Sequence, residues 1–334
     1  MSDEGKAGAI RQDLSVAGLP DGGLREHSPC GRLHLSLPAT SANLGPGFDA
    51  LAVALNVFLE IEAEAAEEFQ LNATGRDADR CGRLENNLIL ETYKQLFRKY
   101  DRAIVPLAIK MINGIPLGMG CGSSAAARLA AIALASHFGG LDWSTEHVLE
   151  EAYALEGHAD NVAACWLGGF VTAICEGSKV HAIRVDPPEE WRAIVVLPAE
   201  PLATSKARSV LPRNFPLEDV VANLQSVGVL ALAFAEGRGE LLRFGMRDRI
   251  HQPYREHICP LLPMLLPLVG EHGILGTALS GAGPAMLVVV SDERHEEAAS
   301  KAILRRVENS IAVELAICRF SRAGASQLIE KKSS

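Results

Sequence analysis

The sequence predicts an α+β protein of two domains. Three observations carry that expectation. The chain has 334 residues, more than one hydrophobic core usually organises. Period-2 apolar alternation and helical apolar spacing follow one another along it. And after a turn ending at Pro188 a new set of elements begins at Ala193, which puts a domain boundary near 190 and gives domains at 30–190 and 191–334.

The elements follow in order. Leu33, Leu35 and Leu37 alternate with polar residues, as a strand does. Residues 38–49 (PATSANLGPGFD) are rich in Pro and Gly and read as a polar loop. Val57, Leu59, Ile61 and Ala63 form a half-exposed strand, and 65–85 read as strand edge and turn. Asn86 or Asn87 caps a helix with Ile89, Tyr93, Leu96, Phe97 and Tyr100 on one face. Val105 to Met111 alternate as a strand. Ser124–Phe138 is an alanine-rich helix ended by Gly139-Gly140, and 145–156 is a second helix. Val162–Leu167 is a short apolar run, Phe170–Ile174 a strand, and Ile183–Pro188 an edge and turn.

In the second half, Ala193–Leu197 is a strand and Thr204–Arg208 a polar loop. Leu217–Glu236 is a helix, and prolines 260, 263 and 267 break the chain into short turns. Strands Gly273–Leu279 and Ala285–Val290, a charged helix from Glu293 to Glu308 and a last strand, Ala312–Phe320, complete it. This alternation suggests an α+β sandwich of ferredoxin-like type.

Composition narrows the function classes. The chain is 48% hydrophobic and 22% charged, with 32 Lys and Arg against 41 Asp and Glu, a formal net charge of −9. No dense Lys/Arg block occurs, so no nucleic-acid partner is expected. The seven cysteines are scattered, with no Cys-x-x-Cys, which argues against a disulfide framework or zinc site and fits a reducing cytoplasm. No apolar run of membrane-spanning length is recognised, and no membrane partner is expected. Residues 1–29 are Gly-rich, of mixed charge and without an apolar leader core, and read as a disordered extension.

The stretch Pro116-Leu117-Gly118-Met119-Gly120-Cys121-Gly122-Ser123-Ser124-Ala125 empties into the alanine-rich helix. Alternate glycines let backbone N–H groups line a concave turn, and a helix N-terminus has unpaired N–H groups and a positive dipole end. Together they suit a phosphate chain. No Lys follows Gly122, so this is not the Walker pattern, and no third glycine completes a dinucleotide fingerprint. Alone, the stretch reads equally as a tight turn before a core helix.

Three loops stand in sequence: PATSANLGPGFD at 38–49, PLGMGCGSSAAA at 116–127 and LSGAGPA at 279–285. In this order and spacing they resemble the three motifs of the GHMP kinase superfamily, and the first resembles the homoserine kinase form. EGHADNV at 156–162, Thr204-x-x-x-Arg208 and Arg255 in PYREHICP match as well, so the resemblance covers roughly residues 33–325. It departs in Cys121, where Leu is usual, in Ala159, where Pro is usual, and in the N-terminal extension.

The resemblance implies an N-terminal α/β domain, a ferredoxin-like C-terminal domain and ATP-dependent phosphorylation of the L-homoserine hydroxyl. It implies ATP and Mg²⁺ as cofactors and frequent homodimers. Residues 116–125 would hold the triphosphate and Asn87 the adenine side. Ser124 and Glu156 would ligate Mg²⁺, with Glu150 or Glu151 open as the acid. Asn43, Asp49, His158, Asn161, Thr204, Arg208, Arg255 and Gly281 would bind the acceptor, the arginines clamping its carboxylate and Asp49 its ammonium. Asn161, Ser124 and Glu156 are the catalytic candidates. Asn161 stands where mevalonate-type relatives carry a carboxylate base. An amide cannot take a proton near neutral pH, so catalysis by alignment is expected, with Asp160 as the fallback base. A mevalonate- or sugar-type kinase and a non-catalytic binding protein remain alternatives.

Overall fold

The structure is a computed structural model that describes residues 31–308 and 310–332; the expected extension at 1–29 lies outside the described residues. The first half runs β1 (Arg32–Asn43), β2 (Gly47–Ala65), β3 (Gln70–Gly75), α1 (Ala78–Cys81), α2 (Leu88–Lys99), β4 (Leu107–Asn113), α3 (Ser123–Phe138), α4 (Thr145–Glu156), α5 (Asp160–Leu167), β5 (Phe170–Glu176) and β6 (Lys179–Val185). The second runs β7 (Arg192–Pro198), α6 (Thr204–Ser209), α7 (Leu217–Glu236), α8 (Leu242–Gly245), α9 (Gln252–Arg255), α10 (Leu261–Leu265), β8 (Ile274–Leu279), β9 (Met286–Val290), α11 (Glu296–Val307), β10 (Val313–Cys318) and β11 (Ile329–Lys332).

Two sheets result. The first follows the order β11-β1-β2-β4-β3, with β5 paired to β2 and β6 to β5. The 19-residue β2 serves two partners on one side: Leu51–Val53 pair with β5 and Leu59–Ala65 with β4. The second sheet has the order β10-β7-β9-β8. With α7 between β7 and β8 and α11 between β9 and β10, it is the expected ferredoxin-like β-α-β-β-α-β unit. α3 packs against β1 and lies between α2 and α4. Its alanines, buried almost all round, let these neighbours approach closely.

Five expectations are corrected. Residues 38–43 are strand, not loop: β1 continues to Asn43, bulged at Pro38/Ala39 and Ala42/Asn43. A proline is tolerated at such a bulge because the ladder is already interrupted there. The supposed turn region 65–85 contains β3, which pairs parallel with β4, and 179–185 form β6. Thr204–Ser209 is a short helix rather than a loop. Across the division expected at 190, β11 returns to pair antiparallel with β1, and Leu55 bridges to Phe320. Finally, α7 is long and apolar enough, by length and composition alone, to cross a membrane.

Candidate active site

The three motif loops meet and fasten to one another. Thr40 N–H donates to Cys121 O at 3.1 Å, Gly281 N–H to Ala42 O at 3.0 Å, and Ser280 Oγ to Gly120 O at 2.8 Å. Asn43 Nδ2 donates to Gly281 O at 2.7 Å, while its Oδ1 accepts from Asp49 N–H at 3.1 Å. The approach leaves no room for side chains. A Cβ on Gly120 would lie 2.1 Å from Ser280 O, and one on Gly122 would lie 1.9 Å from Thr40 Oγ1. Both glycines have positive φ, +82° and +71°.

Gly122 N-caps α3, and the first helical bond of that turn is Ala126 N–H to Gly122 O. The amides of Ser123, Ser124 and Ala125 therefore precede the intrahelical ladder and open at the helix mouth. Gly118, Gly120, Gly122 and these three residues line one cleft of about 150 Å³. Pro116, Met119 and Cys121 do not line it. The Cys121 side chain is buried instead, and burial pushes its thiol up to about 12.

Of the three acids considered, Glu156 alone meets Ser124. Ser124 Oγ donates to Glu156 Oε1 at 2.6 Å. Glu156 is the last residue of α4, where the helix dipole disfavours an anion. Arg128 compensates, its Nε lying 2.8 Å from Glu156 Oε1. Glu151 is engaged elsewhere, by Lys99 Nζ at 2.6 Å and Tyr100 Oη at 2.6 Å, and Glu150 lies beside His147. A hydroxyl and a carboxylate oxygen together at the amide-lined end of α3 fit the hard-oxygen, partly hydrated shell that Mg²⁺ takes.

The opposite wall carries the acceptor candidates. Asn161 is the second residue of α5, after Asp160; its Oδ1 accepts from Thr40 Oγ1 at 2.6 Å, which fixes the amide orientation. Asp160 is buried, and its Oδ1 accepts from Asn161 N–H at 2.6 Å and lies 2.8 Å from His158 Nδ1. The hydrogen bond to Asp160 raises the His158 pKa above its ordinary value, with burial opposing. Asp49 forms a two-pronged ion pair with Arg208, one prong 3.0 Å long. The two guanidinium groups of Arg208 and Arg255 flank the Phe48 ring at 5.1 and 5.6 Å.

Arg255 is 1% exposed. Its Nε donates to Ala207 O at 3.0 Å and its Nη1 to His251 Nδ1 at 2.9 Å. His251 Nε2 in turn donates to Gly45 O at 2.7 Å, so His251 is the neutral tautomer, in keeping with a pKa lowered by burial. Burial likewise lowers the Arg255 pKa. Thr204, at the start of α6, and Gly281 complete the lining.

A second, more apolar cleft of about 380 Å³ joins the first at Gly118, Ser123 and Ser124. Leu59, Ile89, Met111, Ile115 and Leu117 face it, and Asn87 lies in its wall. The Asn87 side chain is already satisfied: Oδ1 caps α2 through Ile89 and Leu90 N–H, and Nδ2 donates to Cys81 O and Arg83 O. Sequence reasoning assigned no role to Thr40, Arg128, Phe48 or Ser280. Their only signal was membership of, or proximity to, the motif loops.

Residues 87–169 match the GHMP kinases N terminal domain, and residues 217–309 the GHMP kinases C terminal domain. The chain is 43% identical over 256 residues to the homoserine kinase of Solibacter usitatus, covering 76% of this chain and 84% of that one. It is 35% identical to the homoserine kinase of Persephonella marina over 88% of this chain and 97% of that one. In fold it is similar to the crystal structure of homoserine kinase from Cytophaga hutchinsonii, with TM-score 0.76 at 24% identity, covering 90% of this chain and 97% of that one.

Proposed function

This chain belongs to the GHMP kinases, and from that membership we propose that it transfers the γ-phosphoryl group of ATP to the side-chain hydroxyl of L-homoserine, giving O-phospho-L-homoserine and ADP for threonine biosynthesis. The supporting observation is the convergence of Arg208, Arg255 and Asp49 across a narrow cleft from the amide-lined mouth of α3. A zwitterion suits that arrangement. Its carboxylate replaces Asp49 as the partner of Arg208, and its ammonium takes the carboxylate of Asp49 in return. A mevalonate- or sugar-type acceptor has no ammonium to repay the opening of that pair.

Phosphoryl transfer needs alignment and charge neutralisation more than covalent help. The amides of residues 118–125 hold the triphosphate, and the nucleoside occupies the apolar cleft beside Asn87. Ser124 and Glu156 would hold Mg²⁺, which would neutralise phosphate charge. Asn161, its oxygen tied to Thr40, presents its N–H groups to the acceptor side. Asp160 is already shared between His158 and the Asn161 backbone, which favours alignment without a dedicated base. The acceptor oxygen bonds to phosphorus, the bond to the ADP oxygen breaks, and the hydroxyl proton passes late to phosphate or solvent.

The exposed apolar residues of α7, Leu217, Leu224 and Leu232, suit a homodimer contact, which light scattering of the purified chain tests. The enzymatic reading is tested by ADP release with L-homoserine, mevalonate and galactose as acceptors. Turnover with homoserine at least a hundredfold above the others is expected. Preference for another acceptor, or ATP binding with no turnover on any, would overturn it in favour of a different kinase or a binding protein.

A further inference from the structure

A second cavity, about 720 Å³, opens between α8, α9 and α10 beside β8, the edge strand of the second sheet. It shares no residue with the clefts described above. Leu242, Met246, Leu262 and Leu266 give it apolar walls. Two features of it point to a ligand. Thr277 is 2% exposed, and its hydroxyl has no hydrogen-bond partner among the described residues. A buried hydroxyl left so costs on the order of 1–3 kcal/mol unless a ligand satisfies it.

The second feature is charge. Arg243, Arg247 and Arg249 all line the cavity, in a chain of net charge −9. Arg243 and Arg247 lie against the Phe244 ring at 4.5 and 5.2 Å, Arg247 Nε donates to Arg243 O at 3.2 Å, and neither ion-pairs with an acid among the described residues. Arg249 reaches Asp219 at 3.6 Å. Of the acids at the cavity, Asp248 has a buried carboxylate spent on the N–H groups of Ile250, His251 and Gln252, which leaves Glu256. The lining therefore combines an excess of cationic side chains, apolar walls and one buried unpartnered hydroxyl.

We propose that this cavity binds a small organic anion, a carboxylate on an apolar body whose polar substituent reaches Thr277. The carboxylate meets Arg243 and Arg247, as guanidinium groups favour. The body displaces water from the leucine and methionine walls. The site adjoins the acceptor cleft through α9, which presents Gln252 and Pro253 to this cavity and Arg255 to the other.

The test is binding, read by NMR of methyl-¹³C-methionine protein, with the Met246 signal assigned by Met246→Leu. The probes are 6-hydroxyhexanoate and its neutral analogue 6-hydroxyhexanamide, each raised to about 20 mM, above the millimolar Kd expected of so small a ligand. The carboxylate should shift the Met246 methyl saturably and the amide at least tenfold more weakly. The double variant Arg243→Glu/Arg247→Glu should lose the response, and Thr277→Val should weaken it severalfold, each at a melting temperature no lower than the parent's. No saturable shift, or equal affinity for the amide, would overturn the proposal. An undiminished response in both variants would do the same. None of these readouts depends on kinase activity.

Discussion

Replacing Gly120 with alanine tests the loop junction on which nucleotide binding depends. The new Cβ would lie 2.1 Å from Ser280 O and 3.0 Å from Gly283 O. Carbon–oxygen contacts close at roughly 3.3 Å, so the first and third loops must separate by about 1 Å. The backbone adds strain, since φ is +82° and an L-residue there costs about 1–2 kcal/mol. Separation also breaks Ser280 Oγ to Gly120 O and Ala285 N–H to Met119 O, about 1 kcal/mol each. The expected destabilisation is about 3–4 kcal/mol. Gly177→Ala is the matched control: φ is +61°, nothing lies within 4 Å of its Cβ, and strain of about 1–2 kcal/mol is all it should lose. Displacing the loop should also cost two charge-assisted bonds to phosphate, about 1.5–3 kcal/mol each, which raises the KM for ATP ~10²- to 10⁴-fold. Denaturant unfolding and ADP-release kinetics read the two effects. A Gly120→Ala enzyme no less stable than Gly177→Ala, with an ATP KM within about twofold of the parent, would refute the reasoning.

Asp49→Asn removes the ammonium partner and frees Arg208; it should raise the homoserine KM about tenfold and leave the ATP KM unchanged, and the reverse pattern would remove Asp49 from the acceptor site. Cys121, with its thiol held up at about 12, should have roughly one thiolate in 10⁴ at pH 8, so peptide mapping after iodoacetamide should find it unmodified in the folded enzyme; rapid labelling would contradict its burial. The raised His158 pKa stabilises the fold fully below the unfolded value of about 6.5 and ceases to as pH rises through the higher folded value. Between pH 6 and 8 the parent should therefore lose more melting temperature than His158→Gln, and equal losses would contradict the Asp160 hydrogen bond as the cause.

Local signals in the sequence were strong where a residue's role is decided by its neighbours in the chain. The helix at 145–156 and the glycine stretch into α3 are such cases: a Ser cap, a Gly stop and an unbroken alanine run suffice. The strands β3 and β6 are hard to read because they are edge strands whose inward faces carry few large apolar residues, Leu71 and Ala73 in one and Val180 and Ala182 in the other. The strand end at 38–43 reads as loop because it opens on Pro38 and its Thr40, Ser41 and Asn43 look like loop residues. They are buried because partners from two distant loops surround them. α6 is too short to show a period, and the return of β11 to β1 is a pairing across the whole chain. Within the site, the chemistry of Arg208, Arg255 and Asp49 could be anticipated from residue type and motif. Their arrangement could not: Asp49 and Arg208 hold each other, and Arg255 is buried against a neutral His251. Asn87 lies in the cleft wall, but its polar atoms are taken up by the α2 cap and two carbonyls, which residue type alone does not reveal.

The most direct measurement is a crystal structure with a non-hydrolysable ATP analogue and L-homoserine bound together. The β- and γ-phosphates should lie on the amides of residues 118–125, and the homoserine carboxylate should sit between Arg208 and Arg255, with Asp49 turned to the ammonium. Phosphates bound elsewhere while those amides face only solvent, or homoserine with its carboxylate away from both guanidinium groups, would contradict the account.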